Sequence, residues 1–352
     1  MIINVLKVVV PSVLAFLFGI LITPFFTDIF FKYKMWKKNP RTETGDITTD
    51  DFAKVHNTIG ELSTPRVGGV IIWMSVLITI SVIYLLSIIF PTDLTQKLNF
   101  LSRNQTLVPL AALILASLIG LVDDMLQIVG KGSYAKDSIV YRKIKIVAVV
   151  LIGFLISLWF YNKLEVSSVH MPFFGDFELG LFFIPIFITV MLAVFSTSVI
   201  DGIDGLSGGV MSTIFTAYAT IAFVNNQIDI AAFCAVIAGG TLAFLWFNIP
   251  PARFYMGETG ILGLTVTLSV IAFMTNSVMV LPIIALPLVL TSASVIIQMI
   301  SYKYFNKRRV FRVAPLHHHF EAIGWSREKV VMRYWVVSVV FAIVGVIIAL
   351  IS

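Results

Sequence analysis

The sequence predicts an all-α polytopic membrane helical bundle of about ten transmembrane helices, and three observations carry that prediction. Mean hydropathy is +0.97. Hydrophobic residues make up 58% of the 352-residue chain and charged residues only 12%. The apolar residues fall into runs of about 17–25, the length a helix needs to cross a hydrocarbon core of about 30 Å. The whole chain, 1–352, reads as a single integral-membrane domain without internal repeats or low-complexity tracts.

The first run, 5–31, is too long for a signal-peptide core and is followed by no small-residue cleavage pattern, so it is a membrane span. Further spans are expected at 67–89, 105–122, 144–161, 180–199, 207–224, 228–247, 260–274, 278–302 and 335–352. Pro24, Pro109, Pro185, Pro282 and Pro287 fall inside them. Bundles tolerate such prolines because neighbouring groups satisfy the freed carbonyls. The Pro282/Pro287 pair makes the ninth span the expected site of a bend. The polar stretches 32–66 and 303–334 read as loops. The single cysteine, Cys234, lies inside an apolar run, which excludes a disulfide framework and a thiolate metal site.

Orientation follows from the basic residues. Lys32, Lys34, Lys37, Lys38, Arg41, Lys54 and Arg66 lie in the first loop, Lys131, Lys136, Arg142, Lys143 and Lys145 in the third, and a further set from Lys303 to Arg333 in the ninth. The opposite loops hold little beyond Lys97, Arg103 and Lys163. The positive-inside rule therefore puts the odd-numbered loops in the cytoplasm and both termini outside. The net charge of +6 then reflects membrane orientation and anionic substrates, with no nucleic acid as partner.

On that topology the chemistry-bearing groups share the cytoplasmic face. Asp123-Asp124 closes the third span, Asp201-Gly202-Ile203-Asp204-Gly205 follows the fifth, Asn248 to Glu258 joins the seventh and eighth, and His317-His318-His319 lies in the last cytoplasmic loop. Adjacent carboxylates repel unless a cation or basic group sits beside them. Magnesium is the natural occupant, because it takes hard oxygen ligands and shares one or two carboxylates with substrate phosphates. Asp201 and Asp204 would share a face on a helical turn. Glu258, between Gly257 and Gly260, makes an anion and metal cradle at a helix start. Imidazoles in the histidine run would donate to phosphate oxygens or move a proton. Zinc is the competing reading there, but adjacent histidines do not readily converge on one ion. Carboxylates at span ends, with no repeated half, argue against a secondary transporter.

These motifs together resemble the polyprenyl-phosphate N-acetylhexosamine-1-phosphate transferases. The resemblance runs from Thr64-Pro65 with Gly68-Gly69, through Asp123-Asp124, Asp201/Asp204, Asn248 and Met256-Gly257, to the histidine run with Gly324-Trp325 and Arg333-Tyr334-Trp335. Pro315-Leu316-His317-His318-His319-Phe320-Glu321 is similar to the muramoyl-pentapeptide branch of that family. The resemblance implies a ten-helix fold with both termini outside and a cytoplasmic catalytic cleft. It implies transfer of phospho-N-acetylmuramoyl-pentapeptide from its UDP donor to undecaprenyl phosphate in a bacterial plasma membrane, with UMP released. A second copy of the chain is a candidate partner.

The same resemblance implies roles for particular residues. Asp123 or Asp124 would deprotonate or position the lipid phosphate, and Glu258 stands where the family usually has a magnesium-binding aspartate. Asp123, Asp124 and Asp201 join it as candidate metal ligands. Asp201, Asp204 and Asn248 would line the nucleotide and metal region, Lys131 and one of Lys143 or Lys145 would contact phosphates, and His317 and His318 would face the sugar-phosphate side. Thr64 and His319 complete the expected substrate-binding set. Departures from the family pattern are Glu258 for aspartate, Ser198 for asparagine and Gln127 for lysine. Lys54-Val55-His56 and Thr64-Pro65-Arg66 look more like the N-acetylglucosamine-1-phosphate branch, which serves teichoic acid or surface polysaccharide.

Overall fold

The computed structural model describes residues 1–37, 62–102, 104–130 and 139–352. Among them are ten helices long and apolar enough to cross a membrane. We label these α1 (Ile2–Lys32), α2 (Val70–Ile89), α3 (Asn104–Ile128), α4 (Ile139–Lys163), α5 (Phe183–Ser196), α6 (Leu206–Val224), α7 (Ile228–Asn248), α8 (Gly257–Met274), α9 (Leu286–Tyr304) and α10 (Arg327–Ile351). The chain is a multi-pass membrane protein.

The bundle is built around α8, every residue of which is buried. Its sequence explains how. Gly260 and Gly263 let neighbouring helices approach closely, with Gly69 set against the Gly260 backbone and Ser117 against Gly263. The hydroxyls of Thr265, Ser269 and Thr275 donate to the carbonyls four residues back. Helices α2, α3, α5 and α6 surround it. Near the C-terminal end of α8, Phe273 stacks on Phe187 at 4.4 Å and meets Phe183 edge-on at 5.6 Å, tying α5 to the core. Helices α1 and α10 form the rim and show apolar side chains outward, as lipid-facing helices do.

Several element boundaries differ from those read off hydropathy. Helix α3 does not stop before Asp123 but continues to Ile128, so both aspartates lie within it. The ninth run breaks at Ala285 between the two prolines, separating a short helix, Leu281–Ile284, from α9. The stretch 303–334 is not wholly loop: Leu316–Ala322 is helical, and α10 begins at Arg327 behind a Ser326 side-chain cap. An antiparallel hairpin, β1 (Ser168–Met171) with β2 (Gly175–Glu178), joins α4 to the fifth span. The all-α expectation had no place for it.

Candidate active site

The N-terminus of α8 organises the site. Gly257 adopts φ +68°, and its α-carbon lies so close to the Arg66 carbonyl that a side chain has no room. The 65–69 strand of backbone is tied alongside: Tyr255 N–H donates to the Pro65 carbonyl at 2.8 Å, and Gly68 and Gly69 N–H donate to the Tyr255 and Met256 carbonyls at 2.9 Å. Asp124 reaches across from α3. Its Oδ1 accepts from Glu258 N–H at 3.1 Å and its Oδ2 from Thr259 N–H at 2.8 Å. A helix start leaves its first N–H groups without intrahelical partners, so a buried carboxylate here works as a cap supplied by another helix. Thr259 Oγ1 donates to the Ser117 carbonyl at 3.1 Å, locking the same two helices two turns earlier on α3.

Asp123 lies about 100° around the helix from Asp124 and faces a different set of partners. Its Oδ2 accepts from Gln127 Nε2 at 2.9 Å and from Lys145 Nζ at 3.3 Å. The same Lys145 ammonium lies 2.9 Å from Glu258 Oε1. Two buried carboxylates from α3 and α8 thus share one buried cation from α4. Buried charges are retained where they are paired, and this lysine pairs with both. Lys143, two residues away, is exposed, so of the two lysines Lys145 joins the site.

Asp201 and Asp204 do not share a face of a helical turn. Asp201 ends a 3-10 turn at φ −76°, ψ 65°, and the segment to Gly205 is non-helical. Asp201 Oδ1 accepts from Ser207 Oγ at 2.8 Å. Burial pushes its carboxyl up to about 6; the Ser207 hydrogen bond and the Arg66 charge oppose the rise, and the Glu258 charge adds to it. Burial raises the Asp204 carboxyl as well, against a backbone hydrogen bond from Ala252 and the charge of Arg327. Asn248 braces the turn. Its Oδ1 accepts from Gly205 N–H at 2.8 Å and its Nδ2 donates to the Phe254 carbonyl at 2.9 Å. Trp335 Nε1 donates to the Gly205 carbonyl at 3.1 Å from α10.

The histidine helix packs onto that turn. Leu316 N–H donates to Ser294 Oγ of α9 at 2.8 Å, fixing the start of the helix. The His317 ring lies directly over Gly202, where any side chain would collide with it. His317 is fully buried, and among the described residues neither ring nitrogen has a hydrogen-bond partner. Burial, and secondarily the His318 charge, hold its pKa well below the usual histidine range, so the ring is neutral. His318 Nδ1 is hydrogen-bonded to Glu321 Oε2 at 2.6 Å, and Glu321 Oε1 accepts from Arg327 Nε at 2.8 Å. His319 turns away: its Nδ1 accepts from Arg312 N–H at 3.2 Å and its ring meets Phe311 edge-on at 5.5 Å. Thr64 is half-buried beside the Pro65–Tyr255 contact. Lys131, Lys54 and His56 lie outside the described residues.

Three helices and two connections therefore bring Asp123, Asp124, Lys145, Asp201, Glu258 and His317 to one end of the bundle. Gln127, Ser207, Glu321 and Arg327 belong with them. Gln127 stood out in the sequence only as a departure, and the Glu321 partnership was hidden by reading the histidine run as loop. Among the described residues no group of three or more histidine, cysteine, aspartate or glutamate side chains is preassembled around a metal position. The Asp123–Glu258 pair nonetheless already holds a cation, the Lys145 ammonium, and one or two carboxylates are what magnesium asks of a protein. The donor set fits that ion. Asp124 fits it less well, since both its oxygens serve the α8 backbone.

The membrane bundle with buried carboxylates at one end carries the match that gives its class: residues 106–276 match the family model described as glycosyl transferase family 4. Relatives named phospho-N-acetylmuramoyl-pentapeptide-transferase cover far more. That of Chloroflexus aurantiacus is 32% identical over 302 residues, 83% of this chain and 78% of the relative. That of Geobacillus sp. is 31% identical over 341 residues, 96% of each, and that of Listeria monocytogenes is 32% identical over 335 residues, 94% of this chain and 95% of the relative. The chain belongs to the phospho-N-acetylmuramoyl-pentapeptide-transferase family.

Proposed function

We propose that this protein transfers phospho-N-acetylmuramoyl-pentapeptide from UDP-N-acetylmuramoyl-pentapeptide to undecaprenyl phosphate, releasing UMP, at a cleft on the cytoplasmic side of the membrane. The observation that carries the reading is the Asp123–Lys145–Glu258 cluster beside Asp201 and the His317 face, in a chain whose relatives bear that name over nearly their full length. A phosphate oxygen of the lipid attacks the phosphorus attached to the sugar; the bond from that phosphorus to the bridging oxygen breaks, and UMP leaves with the electron pair. The chemistry calls for neutralised charge on a pyrophosphate and an aligned nucleophile more than for a covalent partner.

Asp123 and Glu258 would hold magnesium, with Asp201 beside them, and the bound ion would supply charge neutralisation to the pyrophosphate. Lys145 adds a point charge to the phosphates and pairs with the two carboxylates. Asp123, rather than Asp124, orients or deprotonates the lipid phosphate, a choice supported by the commitment of Asp124 to the α8 backbone. Asp124 and Asn248 position: one fixes the turn that carries Glu258, the other the turn that carries Asp201. The neutral ring of His317, and His318 held by Glu321, face the sugar-phosphate side.

The test is UMP release by purified protein given undecaprenyl phosphate and either UDP-N-acetylmuramoyl-pentapeptide or UDP-N-acetylglucosamine. The pentapeptide donor should be preferred in kcat/KM, because groups that pair with the peptide arm stay unpaired with a donor lacking it. Chelation should stop release and added magnesium restore it. Preference for UDP-N-acetylglucosamine would move the chain to the N-acetylglucosamine-1-phosphate branch, and no UMP from either donor would remove the reaction.

A further inference from the structure

At the end of the bundle opposite the carboxylate cluster, the β1–β2 hairpin has a pattern that the transfer reaction does not use. Its register opposes Ser168 to Glu178, Val169 to Phe177, His170 to Asp176 and Met171 to Gly175. Opposed residues share a face and successive residues alternate. One face of the ribbon is therefore Val169, Met171 and Phe177, and the other Ser168, His170, Asp176 and Glu178. The polar face is internally paired, with His170 Nδ1 2.8 Å from Asp176 Oδ1, and Ser167 Oγ beside the ribbon donates to Glu178 Oε2 at 3.0 Å. The apolar face begins against the protein, where Val169 is buried and β1 packs beside Val278–Val280. It then runs outward to Phe177, 61% exposed, and to the turn residues Phe173 and Phe174, 66% and 86% exposed.

Water is the wrong surrounding for three phenylalanines on one ribbon, and the tethers say what replaces it. The span before the hairpin ends at Lys163 and the next begins at Gly180. Four residues link α4 to β1, a reach of at most about 14 Å, and Leu179 alone links β2 to the next span. The ribbon is thus held at the level where helices leave the hydrocarbon. Leu181 and Phe182, exposed on the first turn of that next span, continue the apolar surface of the hairpin directly onto a lipid-facing helix.

We propose that Phe173, Phe174 and Phe177 insert into the boundary between headgroups and acyl chains, making the hairpin a bilayer anchor that holds the outer ends of α4 and α5. Aromatic side chains favour that depth, and the Asp176/Glu178 face remains with hydrated headgroups. The anchor is independent of the substrate assignment. It bears on the site through α4, whose other end carries Lys145.

The single cysteine makes the test clean, because Cys234 is fully buried and the unaltered protein should take up no thiol probe. Full-length Phe174→Cys and Glu178→Cys proteins, each labelled with the environment-sensitive fluorophore NBD, are placed in nanodiscs of phosphatidylcholine and phosphatidylglycerol. The probe at 174 should emit at shorter wavelength than the probe at 178, and should lose emission when lipids carrying a nitroxide near the top of the acyl chain are included. Water-like emission at 174, unaffected by nitroxide lipid, overturns the anchor. Short-wavelength emission that nitroxide lipid leaves intact overturns it as well, since a protein surface, from a second copy or another chain, then covers the turn. Equal quenching at 174 and 178 removes the assignment of the apolar face to the bilayer.

Discussion

Asp123 and Asp124 are neighbours in the chain and opposites in the structure. Asp124 is saturated by two backbone N–H groups of a helix that cannot move without losing them. Asp123 is held by the side chains of Gln127 and Lys145, whose ends can yield to another ligand. The histidines divide in the same way: His318 is fixed by Glu321 and Arg327, whereas His317 brings two buried ring nitrogens with no partner among the described residues. Buried polar groups are expensive to leave unmade. A saturated group therefore reads as scaffold, and one held by movable partners or by none reads as waiting for substrate.

The sharpest way to break this division is to neutralise each acid in turn. Asp123→Asn and Glu258→Gln should each lower turnover by about 10²–10³-fold, the scale seen when one charge-stabilising group is removed from a transition state, with the fold intact. Turnover and thermal unfolding measured on the same preparations check this. Asp124→Asn should differ in kind. It places an amide N–H against a backbone N–H, and leaving a buried donor unpaired costs about 1–3 kcal/mol. Its loss of activity should therefore come with a lower unfolding temperature. An Asp124→Asn protein as stable as the parent would return that residue to the reacting group.

Much of the bundle was legible because a membrane span needs a long apolar run, and nine of the ten expected spans match a helix to within a few residues at most boundaries. The largest boundary errors, at the end of α3 and the start of α10, have one cause. Hydropathy sees where chain leaves lipid, and it does not see where a helix ends. Asp123, Asp124 and Gln127 continue α3 as polar residues facing protein, and Arg327, Glu328 and Lys329 start α10 in the same way. The divergence of the two aspartates depends on that helix continuing through them. The hairpin was legible in retrospect as the alternation Ser168-Val169-His170-Met171 before Gly175, too short to stand out beside runs of about 20 apolar residues.

A smaller effect is expected on the histidine side. His317→Ala should lower kcat/KM for the pentapeptide donor by about tenfold, the scale of one net hydrogen bond of about 1.4 kcal/mol, and any fall in stability should be that of the cavity left over Gly202, since no hydrogen bond within the described protein is lost. His318→Ala strips a partner from Glu321 and should lower the unfolding temperature first. Unchanged rates in both variants would leave the run with a packing role against Gly202.

Glu258→Asp makes the finest cut, because it keeps the charge and changes only its reach. In the parent the glutamate arm brings Oε1 to 2.9 Å from Lys145, while Asp123 holds the same ammonium at 3.3 Å. Shortening the arm by one methylene withdraws the α8 carboxylate and leaves Lys145 to Asp123, so the shared cation becomes a pair. Magnesium, which keeps several waters, can still be reached from the shorter arm through one of them. Turnover should therefore fall by no more than about tenfold, again one hydrogen bond's worth, against the much larger loss in Glu258→Gln. Manganese binding followed by electron paramagnetic resonance separates the two terms: Glu258→Asp should retain binding and Glu258→Gln should weaken it. Equal binding in both variants would mean that Glu258 serves Lys145 and not the metal.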